Sequence, residues 1–250
     1  MKEIPVTFKS RGKQLVGIVH LPNKKNPNII LMCHGWNATK MGNPYYFFVK
    51  AARHFAKNGY AVLRFDHAGV GDSEGRYEDY NTTNSLADIQ NAIKFLKSLS
   101  EINHEKLGLV GHSMGGMNVI ITASKDKRVK CIASWAGVAD NKDLWSPSLL
   151  DDLKRKGHLY FAGHKVTPNS VKDDFRYATY KSIRKVFIPV LIANGDNDQD
   201  VNAGQAYKLY KNAKQPKKLL IIKNADHGFS LEKHQKILFK ETIKWFNKWL

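Results

Sequence analysis

Cysteine is scarce in this sequence, and long hydrophobic runs are absent. The 250 residues include two cysteines, Cys33 and Cys131, too few for the disulfide framework of a small secreted protein. No apolar run reaches the roughly 18 residues that a membrane-spanning helix needs. The opening segment, MKEIPVTFKSRGKQ, has no apolar core, so we expect no secretory signal peptide. Together these absences favour a reducing, cytoplasmic location.

Acidic residues are also few, with 22 Asp and Glu against 40 Lys and Arg, which leaves a net charge of +18. Such a balance raises the question of a nucleic-acid or anionic-membrane partner. Residues 205–250 hold eleven of the lysines and three acidic residues. These lysines are isolated and are not arranged as an arginine-rich groove with interleaved aromatic residues. We therefore interpret them as a solvated helix surface, and expect no nucleic-acid partner.

The remaining pattern alternates between strand-like and helix-like segments, in a chain that is 42% hydrophobic and can bury a core. The predicted strands are 4–8, 15–21, 28–33, 60–65, 106–110, 129–135, 186–193 and 218–222. The predicted helices are 44–57, 114–125 and 203–211, with further helices starting at Ser85 and near Ser230. This alternation predicts one α/β domain over residues 1–250, with a mostly parallel sheet covered on both faces. Residues 138–185 break the rhythm and predict a functional insertion.

One motif carries chemistry, the sequence GHSMG at residues 111–115. It has the form G-x-S-x-G, follows a predicted strand directly and opens a predicted helix. A strand, a tight turn and a helix are what a nucleophile elbow requires. Such a turn admits only small residues at Gly111 and Gly115, and it raises the Ser113 hydroxyl above the sheet edge. The alternative role for Ser113 is that of an ordinary helix N-cap.

Four further segments carry motifs that occur together with such an elbow, and they follow in the expected order along the chain. They are HGW at 34–36, DHAGVGDS at 66–73, GDND at 195–198 and DHG at 226–228. With these motifs the chain resembles the serine esterases of the α/β-hydrolase superfamily over nearly its whole length. It is most similar to cinnamoyl and feruloyl esterases and to serine-aminopeptidase-like lipases and esterases. The resemblance implies an α/β-hydrolase fold with an eight-stranded, mostly parallel sheet, helices on both faces and a small lid formed by residues 138–185.

The resemblance also implies a catalytic triad. Ser113 would be the nucleophile, His227 the general base, and Asp198 the acid that orients the imidazole. Asp196 and Asp200 crowd the same loop, and the spacing after the preceding strand favours Asp198 over both.

Two backbone N–H groups, those of Trp36 and Met114, would form the oxyanion hole. The chemistry needs no cofactor and no metal, and the sequence shows no metal-ligand spacing, P-loop or dinucleotide-binding glycine loop.

The function expected from the resemblance is hydrolysis of carboxylic esters through an acyl-enzyme, with short-to-medium acyl or aryl groups, hydroxycinnamoyl groups among them. The same triad also serves a serine peptidase, a thioesterase or an acyltransferase, since fold does not determine function. A more remote alternative is a non-catalytic binding protein with a basic surface. The expected partner is a small-molecule ester, and a homodimer is the assembly to test for.

Overall fold

Eight strands form one sheet in the computed structural model, which describes residues 1–42, 46–161 and 163–250. The strands of these residues are β1 (Lys2–Ser10), β2 (Lys13–Leu21), β3 (Ile29–Cys33), β4 (Ala61–Phe65), β5 (Leu107–His112), β6 (Val129–Trp135), β7 (Leu159–Phe161), β8 (His164–Val166), β9 (Val190–Gly195) and β10 (Lys217–Ile222). The sheet order is β1-β2-β4-β3-β5-β6-β9-β10. Strand β2 is antiparallel to both of its neighbours, and every other neighbouring pair in the sheet is parallel. The predicted mostly parallel, eight-stranded sheet is therefore confirmed.

Helices cover both faces of the sheet, as predicted. They are α1 (Phe47–Lys57), α2 (Thr82–Leu96), α3 (Met114–Ala123), α4 (Pro147–Lys156), α5 (Pro168–Asp174), α6 (Thr179–Ser182), α7 (Ala203–Asn212) and α8 (Glu232–Trp249). Alternate residues of the buried strand β3 enter two different cores. Leu31 packs in the core that contains residues of α2, α3 and α7, whereas Met32 packs in the core that contains residues of α1 and α8. A strand buried on both sides explains why residues 29–33, IILMC, are all apolar.

Two predicted boundaries lie three or more residues from those of the described structure, and the others that can be compared lie within two residues. The strand expected from residue 186 begins at Val190, because a short 3₁₀ helix at Ile183–Lys185 ends just before it and Pro189 has no N–H to donate to a neighbouring strand. Helix α2 begins before Ser85, since the side chain of Asn81 accepts a hydrogen bond from the N–H of Asn84 and caps the helix there. The predicted start of the first helix, at residue 44, lies outside the described residues.

The insertion, residues 138–185, consists of helices α4, α5 and α6, two short 3₁₀ segments and the β7–β8 hairpin. Its own small core is built on Leu153, Val166 and Val171. Trp36, which comes from the loop after β3, packs against this core. The insertion is thereby joined to the carboxyl edge of the sheet, where the predicted catalytic residues lie.

No helix among the described residues is long and apolar enough to cross a membrane.

Candidate active site

Ser113 occupies a strained turn between β5 and α3. Its backbone has φ 58° and ψ −123°, a region that costs a residue with a side chain about 1–3 kcal/mol and that is concentrated at functional sites. The N–H of Ser113 donates a 2.9 Å hydrogen bond to the carbonyl of Trp135, which holds the turn against β6. The Ser113 side chain makes no capping hydrogen bond to α3. Ser113 therefore occupies the N-cap position of α3 without capping the helix through its side chain.

The two glycines of the motif have no room for a side chain. A Cβ on Gly111 would lie 2.0 Å from the carbonyl oxygen of Gly115, and a Cβ on Gly115 would lie 2.0 Å from the carbonyl oxygen of Cys33. Both distances are far inside van der Waals contact, and both neighbours are backbone atoms. The expectation that only small residues fit at these positions is confirmed.

His227 and Asp198 form a hydrogen-bonded pair at the ends of the last two strands of the sheet. Nδ1 of His227 lies 2.8 Å from Oδ2 of Asp198. The other carboxylate oxygen, Oδ1, accepts hydrogen bonds from the N–H of Asp200 at 3.0 Å and of Val201 at 2.7 Å. Asp198 is buried, at 3% exposure. Its carboxylate is thus held in one orientation, with an oxygen free to accept the Nδ1 proton and leave Nε2 as a base.

Asp196 and Asp200, the two neighbouring acidic residues, form hydrogen bonds that hold the loop after β9. Oδ1 of Asp196 accepts a hydrogen bond of 2.5 Å from the N–H of Asn224, and Asp200 contributes its own N–H to Asp198. Both side chains are exposed. Among the described residues, Asp198, Asp200 and His227 are also close enough to share a cation, with potential ligand atoms within 4.8 Å of one another. The Nδ1 of His227 is already engaged by Asp198, so a cation there would compete with that hydrogen bond.

The two predicted oxyanion donors lie on segments that pack directly on each other. Met114 is the first residue of α3, where backbone N–H groups have no partner within the helix. Trp36 follows Gly35, and a Cβ on Gly35 would lie only 2.7 Å from the Cβ of Ser113. Within the described part of the chain, neither the N–H of Trp36 nor that of Met114 donates a hydrogen bond to a protein acceptor. Both groups are thus available to a ligand beside Ser113.

A cavity of about 400 Å³ opens at Ser113 and runs under the insertion. Ser113, Met114, Trp36 and His227 all line it. The apolar part of the remaining wall comes from the insertion and from the loop after β9, and consists of Leu144, Trp145, Leu149, Phe161 and Val201. The polar part consists of Asn37, Asn141, Asp174 and Asp200. A substrate group in this cavity would be surrounded by aromatic rings and aliphatic side chains.

Comparison with known proteins identifies the family and the fold of the chain. Residues 45–250 match the prolyl oligopeptidase family, Peptidase_S9. The chain belongs to the prolyl oligopeptidase family. Its fold is the α/β-hydrolase fold, as the resemblance implied.

Two curated relatives of this family member match over part of their length. A stretch of 131 residues is 33% identical to an uncharacterized 31.7 kDa protein of Escherichia coli, and it covers 52% of this chain and 44% of that protein. A stretch of 124 residues is 36% identical to the thiohydrolase aneE of Aspergillus aculeatus, and it covers 49% of this chain and 37% of that protein. The matched part therefore spans about half or less of these relatives.

Two solved structures share the fold over nearly the whole chain. The esterase domain of a Rhodothermus marinus protein has a TM-score of 0.78 at 23% identity, covering 100% of this chain and 99% of that one. Est1E of Butyrivibrio proteoclasticus with bound ferulic acid has a TM-score of 0.82 at 20% identity, covering 97% and 98%. At this level of identity the likeness concerns the fold.

Three residues near the candidate site make contacts that no sequence motif predicts. The first is His112, whose Nε2 lies 2.8 Å from the backbone carbonyl of His227. Burial, together with the neighbouring His227 ring, lowers the pKa of His112 to about 3. A neutral His112 can donate this hydrogen bond and hold the His227 backbone in place. Its position inside the G-x-S-x-G motif is one of the variable ones, so the motif gave no signal for this role.

The second is Lys40, which ties the loop after β3 to the loop after β4. Its backbone N–H donates to Oδ1 of Asp66 at 2.6 Å, and its ammonium donates to Oδ2 of Asp66 at 2.6 Å and also to Asp72. Burial disfavours the ammonium, but the two carboxylates outweigh that effect and the pKa of Lys40 is raised. The DHAGVGDS segment therefore anchors the loop that carries Trp36.

The third is Asp174, at the end of α5. Its Oδ1 accepts hydrogen bonds from the N–H of Thr82 at 3.1 Å and from the Thr82 hydroxyl at 2.6 Å. The residue also lines the catalytic cavity, and burial raises its pKa to about 6. Because Asp174 lines the cavity beside apolar residues of the insertion, a change in its protonation changes the charge of the cavity wall.

Proposed function

We propose that this chain is a serine carboxylic-ester hydrolase that works through an acyl-enzyme. The observation that carries the proposal is the 2.8 Å contact between Nδ1 of His227 and Oδ2 of Asp198, because His227 lines the same cavity as the strained Ser113. A serine hydroxyl becomes a useful nucleophile only when a positioned base removes its proton. The neighbouring esterase folds support an ester as the substrate.

The first half-reaction transfers the acyl group from the ester to Ser113. The Ser113 oxygen attacks the carbonyl carbon of the ester while Nε2 of His227 takes its proton, and Asp198 stabilises the resulting imidazolium. The negative charge on the former carbonyl oxygen is met by the N–H groups of Trp36 and Met114, each worth roughly 3–4 kcal/mol in such a site. Collapse of the tetrahedral intermediate breaks the ester bond, and His227 protonates the departing alcohol.

The second half-reaction repeats these steps with water. Nε2 of His227 takes a proton from water, the water oxygen attacks the acyl carbon, and the tetrahedral intermediate releases the carboxylic acid as the proton returns to Ser113. Every proton and electron pair in these two steps is accounted for by the three side chains, the ester and one water molecule. The proposed reaction thus runs without a cofactor or a metal.

The cavity supports short-to-medium acyl groups or aryl groups. About 400 Å³ is at the lower end of the range for small-molecule sites, and rings such as Trp145 and Phe161 favour flat, apolar groups. Ferulic acid bound to Est1E, a protein of the same fold, supports hydroxycinnamoyl esters as one substrate class. We propose a lid role for the insertion, because its residues form the outer wall of the cavity.

A second candidate differs only in the leaving group. Membership of the prolyl oligopeptidase family favours an amide substrate, and the relative aneE, a thiohydrolase, favours a thioester. The acyl-enzyme and the oxyanion hole would be the same in all three reactions. The choice between them depends on how well the leaving group is protonated by His227 and held by the insertion.

Two measurements test the proposal. A fluorophosphonate probe should label the wild type at Ser113, and Ser113→Ala should lose both the label and the turnover of p-nitrophenyl esters, whereas Ser98→Ala, an exposed serine, should keep both. One acyl group should then be presented as an ester, an anilide and a thioester, with kcat/KM measured for each. If the folded wild-type protein shows neither labelling nor turnover, the proposal of a serine hydrolase is wrong. If kcat/KM is higher for the anilide or the thioester, that substrate class takes the place of esters in the proposal.

A further inference from the structure

Tyr77 is bonded to the loop that carries the proposed oxyanion donor. Its hydroxyl donates a 2.9 Å hydrogen bond to Oδ1 of Asn37 and accepts one of 3.3 Å from the N–H of the same residue. Asn37 directly follows Trp36. Burial raises the pKa of Tyr77, so the hydroxyl keeps the proton that it donates. A single phenol group thus holds both the backbone and the side chain of the residue next to Trp36.

The ring of Tyr77 contacts the insertion. It stacks on the imidazole of His164 in β8, with ring centroids 3.9 Å apart and planes 17° apart. His164 and Asn37 are distant in sequence, and Tyr77 belongs to neither segment. This one side chain therefore bridges the insertion and the loop after β3.

The loop itself needs such support. Asn37 has a φ of 53°, a left-handed conformation that Asn tolerates better than most residues but that still has a cost. On the cavity side, the Trp36 ring packs on Phe161 with centroids 5.3 Å apart and on Trp145 with centroids 6.3 Å apart. Both of these rings belong to the insertion and line the cavity. The position of the Trp36 backbone is thus tied to the insertion twice, once through its own ring and once through Tyr77.

We propose that Tyr77 is a positioning residue for the oxyanion loop, which couples the packing of the insertion to the placement of the Trp36 N–H. This inference rests on the proposed hydrolase function. It means that the insertion influences the rate of acyl transfer as well as the affinity for the acyl group. An oxyanion donor acts only when it lies at hydrogen-bond distance from the transition-state oxygen. A shift of the loop by a fraction of an ångström therefore lowers kcat more than it raises KM.

The first test removes the hydroxyl and keeps the ring. Tyr77→Phe should lower kcat by about tenfold to a hundredfold, with KM within about twofold and an unchanged melting temperature. Tyr207→Phe is the matched control, since Tyr207 lies on α7 with its side chain exposed. It should leave both constants unchanged. A Tyr77→Phe variant with wild-type kcat, or one whose loss lies wholly in KM, overturns the proposal.

The second test uses Asn37→Gly, which accepts the positive φ and removes the side-chain acceptor of the Tyr77 hydroxyl. It should reproduce the loss of kcat, and the double variant with Tyr77→Phe should be no slower than the slower single variant. Affinity for a boronic acid that mimics the tetrahedral intermediate should fall in parallel with kcat/KM, whereas affinity for the carboxylic acid product should not change. Additive losses, or equal losses of affinity for both ligands, would instead indicate a general structural role.

The third test reports the coupling to the insertion. His164→Ala should lower kcat in the wild type but have little further effect in Tyr77→Phe, because the hydroxyl that transmits the contact is already absent. Equal effects in both backgrounds contradict the coupling. Fluorophosphonate labelling of Ser113 in the wild type is measured alongside, so that failure of the hydrolase assignment is separate from failure of the role of Tyr77.

Discussion

Gly35 and Ser113 are packed so closely that no side chain fits between them, since a Cβ on Gly35 would lie 2.7 Å from the Cβ of Ser113. The loop after β3 therefore rests on the nucleophile elbow itself. This contact places Trp36 beside Ser113, and it makes the separation of the proposed oxyanion donor from the nucleophile sensitive to the smallest substitution.

Gly35→Ala should lower kcat/KM for p-nitrophenyl esters by about tenfold or more, because the added methyl pushes the loop and its N–H away from the elbow. Steady-state kinetics with a thermal melt checks this. Gly12→Ala, in the turn between β1 and β2, adds a methyl group that meets no atom within 4 Å and should not change kcat/KM. Full activity in Gly35→Ala would mean that the Trp36 N–H is not an oxyanion donor.

Asp198→Asn should lower kcat by about ten-thousandfold, since the amide cannot hold the imidazole in the tautomer that leaves Nε2 free. Asp196→Asn and Asp200→Asn are the matched controls on the same loop, and each should stay within a few fold of the wild type. The measurement is kcat with a fixed ester at neutral pH. A larger loss in either control would transfer the role of the triad acid to that residue.

Asp174→Asn should remove a pH-dependent cost to stability. Burial raises the pKa of Asp174 from 3.8 to about 6 in the folded protein. Between about pH 4 and 6, Asp174 is therefore protonated in the folded state and ionised in the unfolded state. The wild type therefore loses stability as pH rises through this window, by roughly 2–3 kcal/mol in total for this group. Asn keeps an acceptor for Thr82 and does not titrate.

Urea unfolding of both proteins at several pH values checks this prediction. The free energy of unfolding of Asp174→Asn minus that of the wild type should rise between pH 4 and 6 and level off above pH 6. A difference that stays constant over this range would show that Asp174 is not perturbed.

Lys40→Met should destabilise the protein by about 3–5 kcal/mol, because it leaves the carboxylate of Asp66 buried without its cation. The side chain of Asp66 is fully buried. Adding Asp66→Asn should recover part of this loss, since the buried charge is then gone. The cycle is measured by urea unfolding. A single variant as stable as the wild type would mean that the ion pair does not anchor the loop.

The residues of the candidate site could be predicted from the sequence because each of them lies in a segment that follows a strand. Ser113 comes directly after a predicted strand, Asp198 and His227 lie in the loops that follow the last two predicted strands, and the carboxyl ends of parallel strands meet at one edge of the sheet. The order of the segments therefore predicted which side chains lie together before any distance was known. The glycines around Ser113 were predictable for the same local reason, since a tight turn admits nothing larger.

Only the tertiary structure shows which side chains form contacts between segments that are distant in sequence. Asp174 meets Thr82 across 92 residues of sequence, Lys40 meets Asp66 across 26, and Tyr77 reaches both Asn37 and His164. None of these pairs has a sequence pattern, because each depends on where a side chain points and how loops pack. The burial that raises the pKa of Asp174 is likewise a property of the packed insertion. The sequence by itself predicted the proposed triad of Ser113, Asp198 and His227, and it determined the strands that lead to them, because both depend on local pattern and chain order. Only the packing of the insertion and loops against the sheet decided which residues hold the loop that carries Trp36 and which charged side chains line the cavity.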